Sequence, residues 1–384
     1  MHALGATIRA ERLEIVTDSE RLAEIGPAWD ELWTRTDSLV FQSHAWISAW
    51  WQTLPDRDNR QLRIGLVWNG DRLDAVMPLC LHRRRGLRFL EWAANSYSDY
   101  EDILAGADGP AAALERLWAE LTRLGGFDIA LLNRLQPGAR MRELAASRAR
   151  PTLVPNHRSE VSHRVTGAWT SGAAWFDSQS KKARQNYRRG QSAMSEFGSA
   201  RFRLLAEDEP LAPVLARLSA LKRKWLDARG HTSALFDEGD VALSALVQAL
   251  ARAGVLRIFV IEVDGLIVAI SINFEQHGTL MAFVTTYDPA FERASPGTLL
   301  MSDYIMWAFD RGLHTVDFLC GAEAFKQRFG TDAVTLGTFV AAGSLRGRAV
   351  LALDHARHAL AQRRQRMPRQ RSQQPAIRRD SPRR

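Results

Sequence analysis

The sequence has little of what a secreted or membrane-embedded protein needs. Its only two cysteines, Cys80 and Cys320, lie 240 positions apart without ligand-like neighbours, so we expect no disulfide framework and no cysteine-based zinc site. No apolar run approaches the ~18 residues of a membrane-spanning helix. Charged residues interrupt Met1 to Ile15, where a secretory signal would be apolar. These absences predict a cytoplasmic protein that holds no metal.

Acidic residues are scarce only at the C-terminal end. The net charge of the 384 residues is +8, but positions 341–384 contain twelve arginines and two aspartates, which leaves the preceding part of the chain at −2. We expect 341–384 to be an Arg-rich disordered tail, because its last part has almost nothing apolar to bury. The tail is either a solvated extension or a segment that contacts RNA or an anionic membrane surface, which would make the protein peripheral at the inner face of the membrane.

The chain contains an internal duplication. Apolar residues make up 46% of the sequence, enough for two compact domains. In the first repeat, residues 21–132, extended runs separated by turn signals such as Asn69-Gly70 predict a three-stranded meander; in the second, residues 211–320, Asp264-Gly265 has the same position. Two helical patterns precede each meander, and a helix and an apolar strand follow it. The order α-α-β-β-β-α-β therefore occurs twice, which predicts a mixed α/β (α+β) fold.

These boundaries divide the chain into an N-terminal domain at 1–165, a basic helical connector at 166–200, a C-terminal domain at 201–340 and the tail. In the connector, Lys181, Arg184 and Arg188 are spaced to share one helix face. Such a cationic stripe either holds a phosphorylated substrate or belongs to an ordinary solvated helix. Arg184 and Arg188 are therefore candidate substrate-binding residues.

The loop after the second meander is a candidate anion site. Its residues Arg293, Ser295, Gly297 and Thr298 lead into a helix, whose first turn has N–H groups without helical partners and favours negative charge. A pyrophosphate would fit on Gly297 and Thr298, with Arg293 as counter-charge and Gly297 allowing close backbone approach. The alternative is a normal helix start made of serine and proline.

A resemblance becomes visible at this point. The second half resembles the GNAT superfamily of acyl-CoA-dependent N-acyltransferases, and more specifically its cellulose-biosynthesis-associated acetyltransferase group, which is similar in architecture to the tandem-GNAT Fem-type transferases. The phosphate loop of the superfamily is kept only loosely. Two positions depart from the group's pattern: Phe325, where tyrosine is usual, and Ala322, where an acidic residue is common. The stretches that carry the likeness span roughly residues 35 to 330; they are Phe41–Trp46 with Trp50-Trp51, Lys181–Arg189, Ser295–Leu300 and Asp317–Lys326.

The resemblance implies tandem GNAT-like repeats, each a mostly antiparallel sheet flanked by helices. It also implies an N-acyltransferase that uses acetyl-CoA or another acyl-CoA as cosubstrate. The acceptor would be a small-molecule, sugar or lipid-linked amine, in the setting of cellulose or exopolysaccharide biosynthesis. Two alternatives stay open: a Fem-like transferase that uses aminoacyl-tRNA, and a non-catalytic scaffold that docks through its basic tail.

Acyl transfer to an amine needs a base, a polarised carbonyl and a proton for the leaving thiolate. Asp317 lies inside an apolar strand, where burial favours a base but a structural partner is equally consistent. Glu323 and Lys326 follow that strand at a spacing of three, as a base with an anion anchor or as a surface ion pair. Tyr287, at the end of another strand, is either the acid for the thiolate or a packing residue.

In the first repeat, the segment 95–102 is polar and aromatic, and it contains the candidate substrate residues Asp99 and Tyr100. Clustered carboxylates suit an amine acceptor, although a flexible acidic loop has the same composition. The pairs Trp29/Trp33 and Trp46/Trp50 are spaced by four residues, so we interpret them as core faces of helices rather than as sugar platforms.

Overall fold

The computed structural model describes residues 11–106, 111–147, 149–236, 239, 241–321 and 323–366. The strands are β1 Glu11–Val16, β2 Arg60–Asn69, β3 Arg72–Arg84, β4 Leu87–Trp92, β5 Leu104–Ala105, β6 Ile129–Leu135, β7 Val154–Pro155, β8 Glu160–Thr166, β9 Ala200–Leu204, β10 Leu256–Val263, β11 Leu266–Gln276, β12 Thr279–Tyr287, β13 Thr315–Cys320 and β14 Asp332–Ala342. The helices are α1 Ser19–Glu24, α2 Gly26–Thr34, α3 His44–Thr53, α4 Ala111–Arg123, α5 Arg140–Ala146, α6 Gly172–Ser178, α7 Lys181–Ser195, α8 Leu211–Asp227, α9 Val241–Arg252, α10 Pro296–Asp310, α11 Ala324–Phe329 and α12 Leu345–Arg366.

The strands form one mostly antiparallel sheet in the order β1-β2-β3-β4-β6-β14-β8-β13-β12-β11-β10-β9, with β5 on β3 and β7 on β14. Two neighbouring pairs are parallel, β4 with β6 and β12 with β13. Each of these pairs is connected through a helix, α4 in one case and α10 in the other, as parallel neighbours require. The mixed fold class and the order of the two repeats are therefore confirmed.

The meander turns follow from local backbone chemistry. Both residues of Arg85-Gly86, Asp264-Gly265 and His277-Gly278 have positive φ angles, as tight two-residue hairpins demand. The Asn69-Gly70 turn differs from the prediction by one residue. Asn69 ends β2 in extended conformation, and Gly70 (φ 64°) with the next residue makes the turn. In each repeat a further strand, β1 or β9, extends the meander on its outer edge.

The two repeats exchange their last strands. β8 follows the first repeat in the chain but pairs with β13 of the second, with Val165 opposite Val316. β14 follows the second repeat but pairs with β6 of the first, with Val340 opposite Leu131. β8 and β14 also pair with each other at the centre of the sheet. The predicted domains at 1–165 and 201–340 are therefore joined by continuous backbone hydrogen bonding.

Helices from both repeats share one apolar core. α3 packs against α9, and the rings of Phe41 and Phe274 meet edge to face at 5.4 Å. Trp29, Trp46 and Trp50 are completely buried and Trp33 is half-buried, so the interpretation of the tryptophan pairs as core faces is confirmed. The predicted connector contains α6 and α7, which both contact α10.

The expectation of a disordered tail from residue 341 is wrong as far as residue 366. β14 continues to Ala342, and α12 follows after Ser344, whose hydroxyl donates to Asp128 Oδ1 at 2.7 Å and accepts from the Gly347 N–H at 3.0 Å. Arg158, which precedes β8, forms an ion pair at 2.7 Å with Asp354 of α12. The sequence of α12 is rich in alanine, leucine, arginine and glutamine, which are all strong helix formers. The prediction of disorder rested on charge and low apolar content and did not take these helix propensities into account. The rest of the predicted tail, 367–384, lies outside the described residues.

Within the described ranges, no helix is both long and apolar enough to cross a membrane.

Candidate active site

A cavity opens where the parallel strands β12 and β13 separate. Their pairing runs from Thr279 opposite Thr315 to Met281 opposite Asp317 and ends there, although both strands continue. The remaining part of β12, residues 282–287, lines a cavity of about 900 Å³, which we call the gap cavity. Its volume lies in the range of small-molecule sites.

Both repeats contribute walls to the gap cavity. The second repeat supplies β12, the first turn of α10, one face of α8 and the segment around Glu323 and Lys326. The first repeat supplies residues 96–99 and Arg134 from β6. A ligand in this cavity would therefore contact both halves of the molecule.

The first turn of α10 forms one end of the cavity. Ser295 has a left-handed backbone (φ 52°) between a 3₁₀ turn and Pro296, the first residue of α10. Gly297 and Thr298 come next and line the cavity. A Cβ on Gly297 would lie 3.1 Å from the Tyr287 ring, so a side chain there would crowd the cavity wall. Arg328 donates to Thr298 Oγ1 at 3.0 Å and places a cation beside this turn.

Asp99 faces the cavity from the first repeat. The thiol of Cys320, at the end of β13, donates to the Asp99 carbonyl oxygen at 2.9 Å and fixes this loop against the second repeat. Burial raises the pKa of Asp99 to about 6, and the Arg134 and Lys326 cations oppose that shift. A carboxylate with this pKa is ionised at neutral pH and is a stronger base than an ordinary aspartate.

Glu323 and Lys326 lie together on the same wall. The Lys326 ammonium is 3.2 Å from Glu323 Oε2 and also donates to the Cys320 carbonyl oxygen. The Lys326 side chain is largely buried, whereas that of Glu323 is about half exposed (53%). Gly321 (φ 128°) makes this arrangement possible, because a Cβ there would collide with both side chains.

Three further lining residues were missed in the sequence: Lys222 and Trp225 of α8, and Arg229 just after the end of α8. The Lys222 ammonium lies 4.9 Å from the Trp225 ring centre and also faces the Phe236 ring, and burial lowers its pKa. Lys222 and Trp225 are three positions apart and therefore share one helix face, a signal visible in the sequence.

Arg134 was also missed. It lines the cavity from β6 with a positive φ of 58°, and its guanidinium donates to the Asn95 carbonyl at 2.8 Å and to the Ser98 carbonyl. It thereby holds the segment that carries Asp99. Nothing in the local sequence distinguishes this arginine from its neighbours.

Residues 181–327 match the acetyltransferase (GNAT) domain family. This part of the chain is similar to a GNAT domain. The match begins at α7 and ends in α11, so it includes most walls of the gap cavity and the second half of the predicted connector, from residue 181 to residue 200. No curated protein sequence matches the chain significantly.

Solved structures share the whole fold at low sequence identity. The chain is similar to the C-terminal domain of a putative lysylphosphatidylglycerol synthetase from Agrobacterium fabrum (TM-score 0.54, 11% identity, covering 87% of this chain and 96% of that chain). It is also similar to FemX (TM-score 0.54, 9% identity, 84% and 96%) and to L-PGS from Bacillus licheniformis (TM-score 0.52, 12% identity, 90% and 97%). These similarities show the fold alone.

The structure brings six of the twelve predicted site residues to the gap cavity. They are Asp99, Tyr287, Gly297, Thr298, Glu323 and Lys326.

Asp317 and Tyr100 are not among them. Asp317 is buried, and its carboxylate accepts hydrogen bonds from Tyr100, from Ser162 and from the Leu319 N–H, each at 2.8 Å. The Arg164 guanidinium also forms an ion pair with the Asp317 carboxylate, at 2.8 Å. A buried carboxylate with this many partners favours the structural role that the sequence left open for Asp317. The two residues line a separate cavity of about 610 Å³.

The predicted cations also lie elsewhere. Arg293 forms an ion pair with Glu196 at 2.9 Å and stacks over Phe197, away from the cavity. Arg184 bends back to the Gln179 carbonyl at 2.7 Å, and Arg188 lies exposed on α7. Ser295 shapes the turn through its backbone and does not line the cavity. The spacing of Arg184 and Arg188 indicates a shared face of α7, but it does not show which part of the protein that face contacts.

In the part of the first repeat that the structure describes, the chain itself fills the position that corresponds to the gap cavity. After β4, residues 93–105 turn back into the sheet, and β5 pairs with β3. Tyr97, Ile103 and Leu104 are buried there. Within the described residues, no cluster of three or more metal-ligating side chains occurs.

Proposed function

We propose that the protein is an acyl-CoA-dependent N-acyltransferase that moves an acetyl or longer acyl group to a primary amine. The observation that carries the proposal is the gap cavity, which has a helix N-terminus at one end and the Asp99 carboxylate at another wall. The first of these features suits a phosphorylated donor and the second suits an amine. They come from different repeats and meet in one cavity.

The donor end fits a pyrophosphate. The N–H groups in the first turn of a helix have no helical partner, and the helix dipole is positive there. Gly297 leaves the backbone open to close approach, and the Arg328 guanidinium is held beside it through Thr298. The separation of β12 and β13 leaves room for an extended donor along the edge of β12.

The acceptor end supplies the base. Asp99 takes the proton from the attacking amine as the new C–N bond forms and the C–S bond of the thioester breaks. The Lys326 ammonium stabilises negative charge that develops on the carbonyl oxygen. The departing thiolate takes its proton from the Tyr287 hydroxyl or from water. Phe325, in place of the usual tyrosine, lines the cavity without a hydroxyl and takes no part in proton transfer.

The test is release of free thiol from acetyl-CoA and longer acyl-CoAs in the presence of a panel of primary amines. We expect amine-dependent thiol release by the wild-type protein and its loss in the Asp99→Asn variant. Binding of an acyl-CoA without turnover of any amine would support the scaffold alternative. Failure to bind any acyl-CoA would contradict the proposal.

Aminoacyl transfer is the second candidate. It is favoured by the similarity to a putative lysylphosphatidylglycerol synthetase and by the exposed cations on α7, Lys181, Lys182, Arg188 and Arg189. Such a helix offers contacts to RNA phosphates, so this candidate predicts tRNA binding that weakens steeply with salt. Substituting these four residues by alanine would abolish that binding and leave acyl-CoA binding unchanged.

The biological setting is proposed from the sequence resemblance. It indicates an amine on a sugar or lipid-linked precursor of cellulose or another exopolysaccharide. The Arg-rich C-terminal segment would then hold the protein at an anionic membrane surface, with exposed arginines of α12 such as Arg346, Arg348 and Arg357 as the first contacts. Flotation with vesicles containing anionic lipid, with and without residues 345–384, tests this location.

A further inference from the structure

Two cations on the wall of the gap cavity share one aromatic ring. The Lys222 ammonium lies 4.9 Å from the centre of the Trp225 ring, and the Arg229 guanidinium carbon lies 4.2 Å from the same centre. All three residues line the cavity, and we call them the cation clamp. Like charges held on one ring repel each other, so a negative charge close to them would stabilise the arrangement.

Neither cation of the clamp has an acidic partner. Among the residues that the structure describes, Lys222 and Arg229 make only long hydrogen bonds to backbone carbonyls, at 3.4 Å to Thr285 and at 3.5 Å to Trp225. Neither of them forms an ion pair with a described aspartate or glutamate. The positive charge of the clamp is therefore available to a ligand.

The other cations of the gap cavity are paired. The Lys326 ammonium is 3.2 Å from Glu323 Oε2, and Arg134 Nε is 3.2 Å from Glu160 Oε1. The lining that the structure describes carries four cations against two carboxylates, those of Asp99 and Glu323. A ligand with a negative charge would restore the balance.

Lys222 is the more buried cation of the clamp. Burial lowers the pKa of its ammonium, the Glu323 carboxylate opposes the shift, and the Lys326 and Arg229 cations add to it. A largely buried ammonium without an acidic partner costs free energy, which an anionic group of a ligand would offset.

The position of the clamp indicates which substrate carries the anionic group. The donor end has a cation of its own, Arg328, which is held beside Thr298. The charged groups that act on Lys222 are Glu323, Lys326 and Arg229, and none of them belongs to the first turn of α10. The charge of the clamp thus acts close to the reacting carbonyl and is available to the acceptor.

We propose that Lys222 and Arg229 bind an acid group, a carboxylate or a phosphate, on the acceptor. The acceptor then has a primary amine at one end, which Asp99 deprotonates, and a negative charge at the other. This inference rests on the proposed acyl transfer and adds the class of acceptor, which is an amine that also carries an acid group.

The test compares acceptors in pairs by thiol release from acetyl-CoA. The pairs are 4-aminobutanoate with 4-aminobutanamide, and 3-aminopropyl phosphate with 3-aminopropan-1-ol. We expect kcat/KM to be at least about tenfold higher for an acid than for its neutral counterpart, because a neutral group leaves the clamp unpaired. The two pairs also distinguish a carboxylate from a phosphate.

The Lys222→Met variant removes the charge and keeps a long apolar side chain. We expect KM for the preferred acid to rise at least about tenfold with little change in kcat, and KM for its neutral counterpart to change by less than about twofold. Lys222→Arg retains a cation and should keep the preference for the acid. Lys224→Met is the control, because Lys224 is an exposed residue of α8 that does not line the cavity.

Binding without turnover separates this inference from acyl transfer itself. Calorimetric titration of the full chain with the two acids, in the presence of CoA, should show at least about tenfold weaker binding of the preferred acid to Lys222→Met than to the wild type. If no amine releases thiol, the proposed acyl transfer is wrong, and the titration still decides whether the clamp binds an acid group.

Three results would overturn the inference. One is equal kcat/KM for the acid and the neutral member of both pairs. Another is a rise in KM for acetyl-CoA in Lys222→Met with an unchanged preference among acceptors, which would assign the clamp to the donor. The third is that neither acid binds to the wild type at millimolar concentration.

Discussion

Tyr100 and Asp317 are 217 positions apart in the chain, and the Tyr100 hydroxyl oxygen lies 2.8 Å from both carboxylate oxygens of Asp317. The bond joins the first repeat to the last strand of the second repeat at the point where β12 and β13 separate. It therefore fixes the wall that carries Asp99 against the strand that borders the gap cavity.

The Tyr100→Phe variant should be less stable by about 1–3 kcal/mol, because it removes one donor from a buried carboxylate. Chemical denaturation measures this change. A double-mutant cycle with Asp317→Asn isolates the pair, and we expect a coupling energy of at least about 0.5 kcal/mol. Additive effects would mean that the two groups do not stabilise each other.

The rate of acyl transfer should rise with pH as Asp99 ionises. Its pKa of about 6 lies above the usual value, so below pH 6 the carboxyl group is protonated and cannot accept the amine proton. We expect kcat/KM to increase through this pH and then level off until another group titrates. Steady-state rates between pH 5 and pH 8 check this dependence.

The Asp99→Asn variant should lose this inflection and at least about 10²-fold in kcat. The exposed Asp37, which does not line the gap cavity, provides the control, and Asp37→Asn should keep the wild-type profile. An unchanged inflection in Asp99→Asn would assign the base to another residue, with Glu323 the first to test.

A carboxylate at position 297 should exclude the donor. In Gly297→Asp, the new charge lies where the pyrophosphate is expected, and the helix itself tolerates an acidic residue in its first turn. We expect the dissociation constant for acetyl-CoA to rise at least about tenfold, measured by calorimetry, with little change in melting temperature. Gly138→Asp is the control. A Cβ at position 138 meets no atom within 4 Å, and Gly138 does not line the gap cavity.

The cations that lie away from the gap cavity should have little effect on donor binding. Arg293→Ala and Arg188→Ala are expected to change the affinity for acetyl-CoA by less than about twofold, whereas Arg328→Ala should weaken it, because Arg328 is held beside Thr298. Calorimetry on the three variants decides. A large effect of Arg293→Ala would mean that its ion pair with Glu196 opens when the donor binds.

Local signals in the sequence were sufficient to predict the repeat and the helix start near Gly297. Hairpin glycines and helix starts depend on neighbouring residues only, so Asp264-Gly265 and Gly297 could be located without a structure. The direction of a helix face is a tertiary property. The sequence therefore left open whether Arg184 and Arg188 bind a substrate or belong to a solvated helix, and neither residue lines the gap cavity.

Contacts between distant segments could not be predicted. Burial of Asp317 was expected, but whether it acts as a base or as a structural group depends on Tyr100, Ser162 and Arg164, which come from two other strands or loops. The same holds for Asp99, which was assigned to substrate binding. Its raised pKa arises from a surface that the second repeat completes.

The exchange of β8 and β14 decides how the chain can be divided. A cut between β8 and α6 would leave β8 on the N-terminal fragment without β13 and β14, and β14 on the C-terminal fragment without β6 and β8. Each fragment would expose unpaired strand edges, which favour aggregation. The two fragments should therefore be insoluble when produced separately and should reassemble by complementation when produced together, as in a split protein.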